Sequence, residues 1–350
     1  MKFSQSKHNY VQNTQKKYNF QCNPRFFITW LLLSAGACLV YVFVVFGSMV
    51  SKTVLPSNNV PKTIPYITVP SKYDVFLEFK STPQVVSRDY TGSLQLNFIA
   101  RDITQRLFFH RGDKVKITSI SLEDSNGTLS SPTVGAYDKS TNVQAYIPIS
   151  NLTTDGAYTL LIDFEGTLDS QNGGPSHINY ALANGTTRNA IVFGHPVTES
   201  SGLRYLMPCL DSPDFPAVFN FNIRHSSQYR VISNFAGQTQ QSVLYTATIF
   251  NATFALDSSQ VALALVDVEM MPVVVQQSRL TVNKYYRESV VSSMSTDRII
   301  QFMAAKTAQI GKIDVLALPS LTAIQQPGIS FYNENDVLRE NVDLGYISSN

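Results

Sequence analysis

Histidine, cysteine and carboxylate side chains can bind a metal or activate a nucleophile, so their spacing is the first guide to chemistry. The chain has five histidines, His8, His110, His177, His195 and His225. No two of them are four residues apart, the spacing that places two imidazoles on one helical face, and none lies in a cluster with metal-ligand spacing. A Gly-x-Ser-x-Gly elbow, a phosphate-binding glycine loop and a Cys-x-x-Cys pair are also missing from the sequence. We therefore predict no cofactor, and histidines that are solvated or locally hydrogen-bonded.

The three cysteines are scattered along the chain. Cys22 precedes a long apolar run, Cys38 lies inside it and Cys209 lies far downstream. A lone cysteine in the folded body cannot form an intramolecular disulfide there, so we expect Cys209 to be a buried free thiol. Palmitoylation of Cys22 is an open alternative, because it precedes a predicted membrane span.

Two kinds of short motif suggest modification or recognition. Four Asn-x-Thr triplets, possible acceptors of N-linked glycans, begin at Asn126, Asn151, Asn184 and Asn251. The tripeptide Arg111–Asp113 reads Arg-Gly-Asp. An adhesive role for so short a motif is weakly supported, and an ordinary polar turn between two strands is the favoured interpretation.

The elements that position these groups begin with an anchor. Residues Phe26–Val50 contain no charged side chain, and as a helix they would extend about 37 Å, enough to cross a hydrocarbon core of about 30 Å with some tilt. A cleaved signal peptide is the alternative, but its apolar region is normally shorter and ends in small residues. The run therefore predicts one transmembrane helix that is not cleaved.

Charge sets the predicted orientation. The whole chain has 27 basic and 25 acidic residues. The first 50 residues hold five Lys or Arg and no acid, so the remaining 300 residues have 22 basic and 25 acidic residues. Cations that flank a span stay on the cytoplasmic side, so the body should face the lumen or the cell exterior. No concentrated basic stripe follows the anchor, which argues against nucleic-acid binding.

The body has the pattern of short strands. Residues 51–65 are polar and rich in proline, as a stalk would be. From Tyr73 the sequence alternates apolar and polar residues, as a half-buried strand does. Strands are predicted at Tyr73–Phe79, Gly92–Ile99, Val115–Leu122, Val143–Ile149, Tyr158–Phe164, Val218–Ile223 and Tyr245–Phe250. This spacing predicts a β-sandwich over roughly residues 70–270.

The pattern changes near Val290. Apolar residues then recur at helical spacing up to Gly311, which would end a helix, and a further strand is predicted at Lys312–Leu318. A helix followed by a strand is typical of the beginning of a second, mixed domain.

The segment Arg204–Pro213 reads RYLMPCLDSP and is followed by Ala217 and Phe219. It resembles the segment that M1 family metallopeptidases write as R-x-x-F-P-C-F-D-E-P-x-x-K-A-x-F, with Ser212 in place of glutamate and Pro216 in place of lysine. Weaker matches to the family are Tyr158, Leu160, Ile162, Phe164, Gly166, Leu168, Tyr180, Ser233-Asn234 and Asp314–Pro319. The resemblance covers about residues 65 to 345.

The resemblance implies a saddle-shaped β-domain beside a thermolysin-like zinc domain. The family's G-A-M-E-N recognition loop is expected where this sequence has Thr322–Gly328, TAIQQPG. By this resemblance Ala323 is retained, Gln325 replaces the glutamate that holds the substrate's amine, and Gln326 replaces the asparagine. An amide keeps the shape of the carboxylate but loses the charge-assisted hydrogen bond to an ammonium. Glu199 falls near the implied cleft, where a structural role is favoured over ligand binding.

The family's zinc site, H-E-x-x-H with a further glutamate, would follow this loop, and the sequence contains no H-E-x-x-H. We therefore expect a non-catalytic, type II membrane glycoprotein that binds a peptide ligand or a full-length aminopeptidase relative. The alternatives are a shortened product or fragment of a longer zinc aminopeptidase, and an unstable fragment.

The expected fold is mainly β, with a single transmembrane helix, a saddle-like β-sandwich and a partial α+β segment at the end. The predicted organisation is a cytoplasmic tail at 1–25, the span at 26–50, a stalk at 51–68, the β-domain at 69–272 and the start of a catalytic-type domain at 273–350.

Overall fold

The structure is a computed structural model that describes residues 60–81, 86–168, 174–182, 184–194, 202–243, 245–267, 273–277, 280–287 and 310–338. These residues belong to one compact unit, residues 58–350. The predicted tail, the span Phe26–Val50 and the first half of the stalk, residues 51–59, lie outside the described residues. Within the described ranges, no helix has both the length and the apolar character needed to cross a membrane.

Strands dominate the described residues. In chain order they are β1 (Thr68–Ser81), β2 (Val86–Ala100), β3 (Leu107–His110), β4 (Val115–Asp124), β5 (Leu129–Ser130), β6 (Thr133–Asp138), β7 (Val143–Ile147), β8 (Ala157–Thr167), β9 (Ser176–Ala181), β10 (Thr187–Phe193), β11 (Val218–His225), β12 (Tyr229–Ser233), β13 (Gly237–Gln241), β14 (Thr246–Phe250), β15 (Leu263–Asp267), β16 (Val273–Gln277), β17 (Leu280–Tyr285), β18 (Lys312–Leu318), β19 (Ile324–Gln326) and β20 (Ile329–Asn333). A short helix, α1 (Glu334–Leu338), and 3₁₀ turns at Leu203–Tyr205 and Ser258–Gln260 accompany them. The protein is mainly β, as the sequence predicts.

An eight-stranded sheet has the order β13-β14-β11-β1-β2-β8-β4-β5. The neighbours β11 and β1, third and fourth in this order, are parallel, and the other neighbours are antiparallel. The alternation seen in the sequence is confirmed, because Tyr73, Val75, Leu77 and Phe79 of β1 all point into the core. The intervening side chains of β1 face outward.

A three-stranded sheet, β3-β7-β6, and a four-stranded sheet, β12-β15-β10-β9, complete the β body. Both contribute to the core of the eight-stranded sheet, through residues such as Phe109 and Tyr146 from the first and Ile191, Val231 and Leu265 from the second. The three sheets therefore share one hydrophobic core.

The four-stranded sheet is buried on both faces. Val192, Ala264 and Val266 point away from the main core and pack with Leu316 and Phe331 of a five-stranded sheet. That sheet has the order β16-β17-β18-β20-β19 and begins at Val273. The four-stranded sheet thus lies between two cores, and this explains why the first four residues of β15, Leu263–Val266, are all apolar.

Each predicted strand of the body coincides with an observed one, and the Lys312–Leu318 strand is confirmed with its bounds. The helix predicted after Val290 lies outside the described residues, although Gly311, predicted to end it, has a left-handed φ of 72°. The domain bounds at 272 and 273 remain a prediction.

Candidate functional site

The segment that resembles the exopeptidase loop forms a tight hairpin at the edge of the five-stranded sheet. Strands β19 and β20 pair with Gln326 opposite Ile329, so Pro327 and Gly328 make the turn. Gly328 has φ of 77°, and Pro followed by a residue of positive φ is the arrangement of a type II turn. The local sequence Gln-Pro-Gly therefore sets the shape of the loop.

Both glutamines of this loop are packed inside the protein. Gln325 and Gln326 are 6% and 5% exposed, respectively, while Ala323 is half-buried. The Gln325 side-chain amide donates a 2.9 Å hydrogen bond to the Tyr332 hydroxyl of the neighbouring strand. At this position the protein thus presents a neutral amide that is already bonded to its own sheet.

Asn234 fastens this hairpin to the β body. Its side-chain nitrogen donates to the carbonyl oxygens of Gln260 and Pro327, each at 2.8 Å, and its side-chain oxygen accepts from Ala262 N–H at 2.9 Å. All three hydrogen bonds of the amide are made, and the residue is buried. The position of the loop is therefore set by a residue of the four-stranded layer.

A buried ion pair supports the same junction. The Lys312 ammonium donates to the Ser233 carbonyl and to the Asp314 carboxylate, and Asn283 donates to the other oxygen of Asp314 at 2.7 Å. Burial lowers the pKa of Lys312, while the Asp314 charge acts in the opposite direction. The backbone N–H of Asp314 donates to the Gly328 carbonyl at 3.0 Å. This network links the strand before the loop to the turn within it.

A second buried ion pair organises the Arg204–Pro213 segment. Asp211 Oδ2 accepts from Gly202 N–H and from Arg204 Nε–H, each at 2.7 Å. The Arg204 guanidinium also donates to the carbonyls of Thr141 and Asp211. Burial alone would raise the pKa of Asp211, but the Arg204 charge and hydrogen bonds lower it overall. The carboxylate therefore stays ionised as a structural partner of arginine.

His110 closes this network from the three-stranded sheet. Its Nδ1 accepts a 3.0 Å hydrogen bond from Asp211 N–H, and its backbone pairs with that of Cys209. Burial, aided by the Arg204 charge and opposed by Asp211, lowers the pKa of His110 to about 3. The imidazole is therefore neutral near pH 7, with its proton on Nε2.

Acidification is expected to destabilise the protein through His110. An unfolded histidine has a pKa near 6.5, so between about pH 6.5 and 3 the unfolded chain binds a proton that the folded chain refuses. The contribution of neutral His110 to the free energy of unfolding is fully present above pH 6.5. As the pH falls, it is lost at about 1.4 kcal/mol per pH unit, or about 2 kcal/mol by pH 5. Melting temperatures of the purified chain at pH 7 and 5 measure this loss.

The matched variant is His110→Asn, which keeps an acceptor near the position of Nδ1 but cannot titrate. We expect its melting temperature to fall less between pH 7 and 5 than that of the parent. Some loss should remain, because burial also lowers the pKa of His225. Parallel pH profiles for parent and variant would contradict the assignment.

The other chemical groups predicted from the sequence are placed as follows. The described histidines are locally hydrogen-bonded, with His177 against Asn189 and His225 between Ser226 and Thr248; His8 and His195 lie outside the described residues. Cys209 is a free, buried thiol, as predicted, and burial raises its pKa. Among the described residues, no group of three or more His, Cys, Asp or Glu is arranged to hold a metal ion.

A model of the peptidase M1 N-terminal domain matches residues 69–259, which is more than half of the 350-residue chain. The chain belongs to the peptidase M1 N-terminal domain family. Within this M1 N-terminal domain, the Arg204–Asp211 pair and Asn234 stabilise the fold through buried hydrogen bonds between separate segments. The resemblance noted in the sequence therefore rests on residues that hold sheets and loops together.

Known aminopeptidases are among the relatives of this M1 domain. Endoplasmic reticulum aminopeptidase 2 of Bos taurus is 27% identical over 176 residues, covering 49% of this chain and 18% of that protein. Glutamyl aminopeptidase of Bos taurus is 25% identical over 207 residues, which cover 58% of this chain and 21% of that protein. The Homo sapiens glutamyl aminopeptidase is 22% identical over 290 residues, which cover 79% of this chain and 29% of that protein. The chain thus spans less than a third of the length of these relatives.

The modification and recognition motifs are placed as follows. The four candidate acceptor asparagines are all exposed and lie outside strands. The Arg-Gly-Asp tripeptide is a packed turn, in which the Arg111 guanidinium lies 3.9 Å from the centre of the Tyr137 ring and donates to Gln144 and the Val115 carbonyl. Glu199 lies outside the described residues.

Sequence reasoning missed two residues of the junction in this M1 domain. Tyr332, the partner of Gln325, carries no local signal of that contact. Lys312 could have been suspected, because Lys312 and Asp314 are two residues apart on a predicted strand and so share one face.

Proposed function

We propose that this chain is a non-catalytic, membrane-anchored glycoprotein whose aminopeptidase-like body faces the exoplasmic side and binds peptides or proteins without cleaving them. The observation that carries the proposal is the buried Gln325 amide, which donates to Tyr332 and which, by the resemblance of the 322–328 loop, replaces the family's amine-binding glutamate. A substrate's terminal ammonium would find no carboxylate at this position. Charge-assisted hydrogen bonds are roughly twice as strong as neutral ones, so this replacement removes the main attraction for a free amino terminus.

Binding without cleavage can be tested with a panel of fluorescent peptides that carry free or acetylated amino termini. We expect the full-length chain in detergent to bind peptides with little preference for the free amine and to return them intact by mass spectrometry. Zinc should not copurify in stoichiometric amount. A full-length M1 aminopeptidase in the same detergent provides the positive control. Hydrolysis that a chelator abolishes would overturn the proposal, and so would a complete failure to bind both peptides and a full-length aminopeptidase.

Membrane anchoring is supported by the uncharged run Phe26–Val50 and by the cations that precede it. In cells expressing the full chain, we expect the protein to remain in the membrane pellet after extraction with alkaline carbonate and to be released by detergent. Replacing Leu39 and Val40, which lie near the middle of the run, by lysine should release it, because each ammonium costs about 2.5–3.5 kcal/mol at the centre of a span. Carbonate release of the unmodified chain would contradict the anchor.

A second candidate is that the sequence is part of a longer zinc aminopeptidase that removes amino-terminal residues from peptides. The observation that favours it is that the alignments cover only 18–29% of the length of the aminopeptidase relatives. Sequencing the full transcript separates the two candidates, because an in-frame H-E-x-x-H downstream of Asn350 supports the longer enzyme. The Gln325 amide would remain in that enzyme and would weaken its recognition of the substrate amine.

A further inference from the structure

The outer face of the eight-stranded sheet forms a trough of about 610 Å³. Its lining comes from six adjacent strands, β14, β11, β1, β2, β8 and β4. At roughly 4.8 Å between neighbours, six strands span about 24 Å. The trough is therefore long enough for an extended ligand.

The chemistry of the trough suits a carbohydrate. Serine hydroxyls, amides and the carboxylates of Asp74 and Asp163 line it beside the partly exposed Phe76 ring, and the polar groups include Ser93, Ser121 and Gln95. Hydroxyls both donate and accept, amides do both through separate atoms, and carboxylates accept. A sugar presents hydroxyls around its edge and C–H groups on its faces, so it can use the polar groups and the Phe76 ring together.

One lining residue of the trough begins a candidate N-glycosylation triplet. Asn251, the first residue of an Asn-Ala-Thr triplet, lines the trough together with Ile249. Between them, Phe250 is buried in the core, so the alternation of β14 continues one residue beyond the strand and directs Asn251 to the outer face. A group attached to this side chain starts in the trough.

The backbone beside the acceptor is fixed to the floor of the trough. Asn220 accepts a 3.0 Å hydrogen bond from Ala252 N–H and donates a 2.8 Å hydrogen bond to Asp74. Asp74 in turn pairs with Lys72 at 2.8 Å. The backbone next to Asn251 is therefore tied to β11 and, through Asn220, to β1.

We propose that the N-linked glycan of Asn251 lies in this trough, with its inner sugars hydrogen-bonded to the polar side chains and packed on Phe76. The inference rests on the exoplasmic location proposed above. Attachment transfers an oligosaccharide from a lipid-linked diphosphate, which breaks the sugar–phosphate bond and forms a bond to Asn251 Nδ2. The amide loses a proton, and the lipid diphosphate leaves. The chain's own glycan then covers the outer face of the sheet.

Asn126 provides an internal comparison. It lies in the turn between β4 and β5, at one edge of the same sheet, and is not part of the trough lining. A glycan at Asn126 should therefore be freely accessible, whereas one at Asn251 is shielded by the surface on which it lies.

The test uses the full chain expressed in mammalian cells and site-specific mass spectrometry of its glycopeptides. We expect Asn126 and Asn251 both to be occupied, with less processed, oligomannose sugars at Asn251. Peptide N-glycosidase should release the Asn251 glycan from the native protein about tenfold more slowly than the Asn126 glycan, because release requires the glycan to leave the trough first. After denaturation, the two rates should be equal.

Phe76→Ser should remove most of this protection, whereas Leu129→Ser, an apolar-to-serine change on the exposed surface near Asn126, should leave it unchanged. The comparison within the unmodified protein does not depend on either variant folding. Occupancy of Asn126 without Asn251, or equal native release rates, overturns the trough proposal alone. Absence of glycan at every acceptor overturns it together with the exoplasmic location.

Discussion

Replacing Asp211 by asparagine is expected to lower the melting temperature of the purified chain by about 10 °C, because the Arg204 charge is left buried without its partner. The Arg204 and Asp211 side chains are 12% and 0% exposed, and their closest atoms are 2.7 Å apart. Breaking such a pair by removing one member costs about 3–5 kcal/mol. Asparagine keeps the size of the side chain and an oxygen acceptor, so the charge is the main difference.

The control is Asp155→Asn in an exposed ion pair of the same domain. Arg101 and Asp155 are 51% and 69% exposed and lie 3.2 Å apart, so water screens their attraction and the loss should be below about 1 kcal/mol. The melting temperatures of both variants and the parent are measured by circular dichroism in one detergent buffer. A melting temperature of Asp211→Asn close to that of Asp155→Asn would show that the motif pair does not hold the 202–217 segment in place.

Three of the strands that the sequence predicted have one face in the core and one face in solvent. In β1, β2 and β8, core residues alternate with outward polar residues, and this periodicity is visible without knowing the partner strands. Pairing order was not predictable in the same way. The parallel contact between β1 and β11 joins Tyr73 to Phe219, residues whose separation along the chain gives no local signal.

Two of the strands that were missed, β15 and β13, lack this alternation. All five residues of β15 are buried because the sheet has a core on each side, so the sequence LALVD shows no period of two. At the opposite extreme, every residue of β13 is exposed at a sheet edge, and GQTQQ has no apolar face. Alternation of apolar and polar residues predicts a strand only when one of its faces is buried, and neither β15 nor β13 has this arrangement.

For the candidate site, the sequence indicated which residues to consider but not the contacts they make. Family resemblance selected Asp211, Asn234 and the 322–328 loop, yet it could not show that Asn234 is bonded to the Pro327 carbonyl across 93 residues of sequence. Nor could it show that Gln325 is paired with Tyr332. Such contacts are created by packing sheets together, so they become visible only with the fold.

Replacing Gly328 by alanine is expected to separate the candidate loop from the β body. A Cβ at this position would lie 2.1 Å from the Asn234 carbonyl oxygen, and its φ of 77° is unfavourable for alanine. Left-handed backbone costs about 1–2 kcal/mol and the overlap about 1–3 kcal/mol, for a total of about 3 kcal/mol. The melting temperature should fall by roughly 6–12 °C.

Gly311→Ala separates these two costs. Gly311 has nearly the same φ, 72°, but a Cβ there meets nothing within 4 Å, so only the backbone cost of about 1–2 kcal/mol applies. Limited proteolysis should cleave the 322–328 loop faster in Gly328→Ala than in Gly311→Ala, because only the former displaces the turn from Asn234. Equal stability and equal cleavage would mean that the turn can move away from Asn234 without loss. If the two variants differ as expected, the position of the Gln325 loop depends on the M1 N-terminal domain, and changes in that domain will alter the loop's ability to contact a ligand.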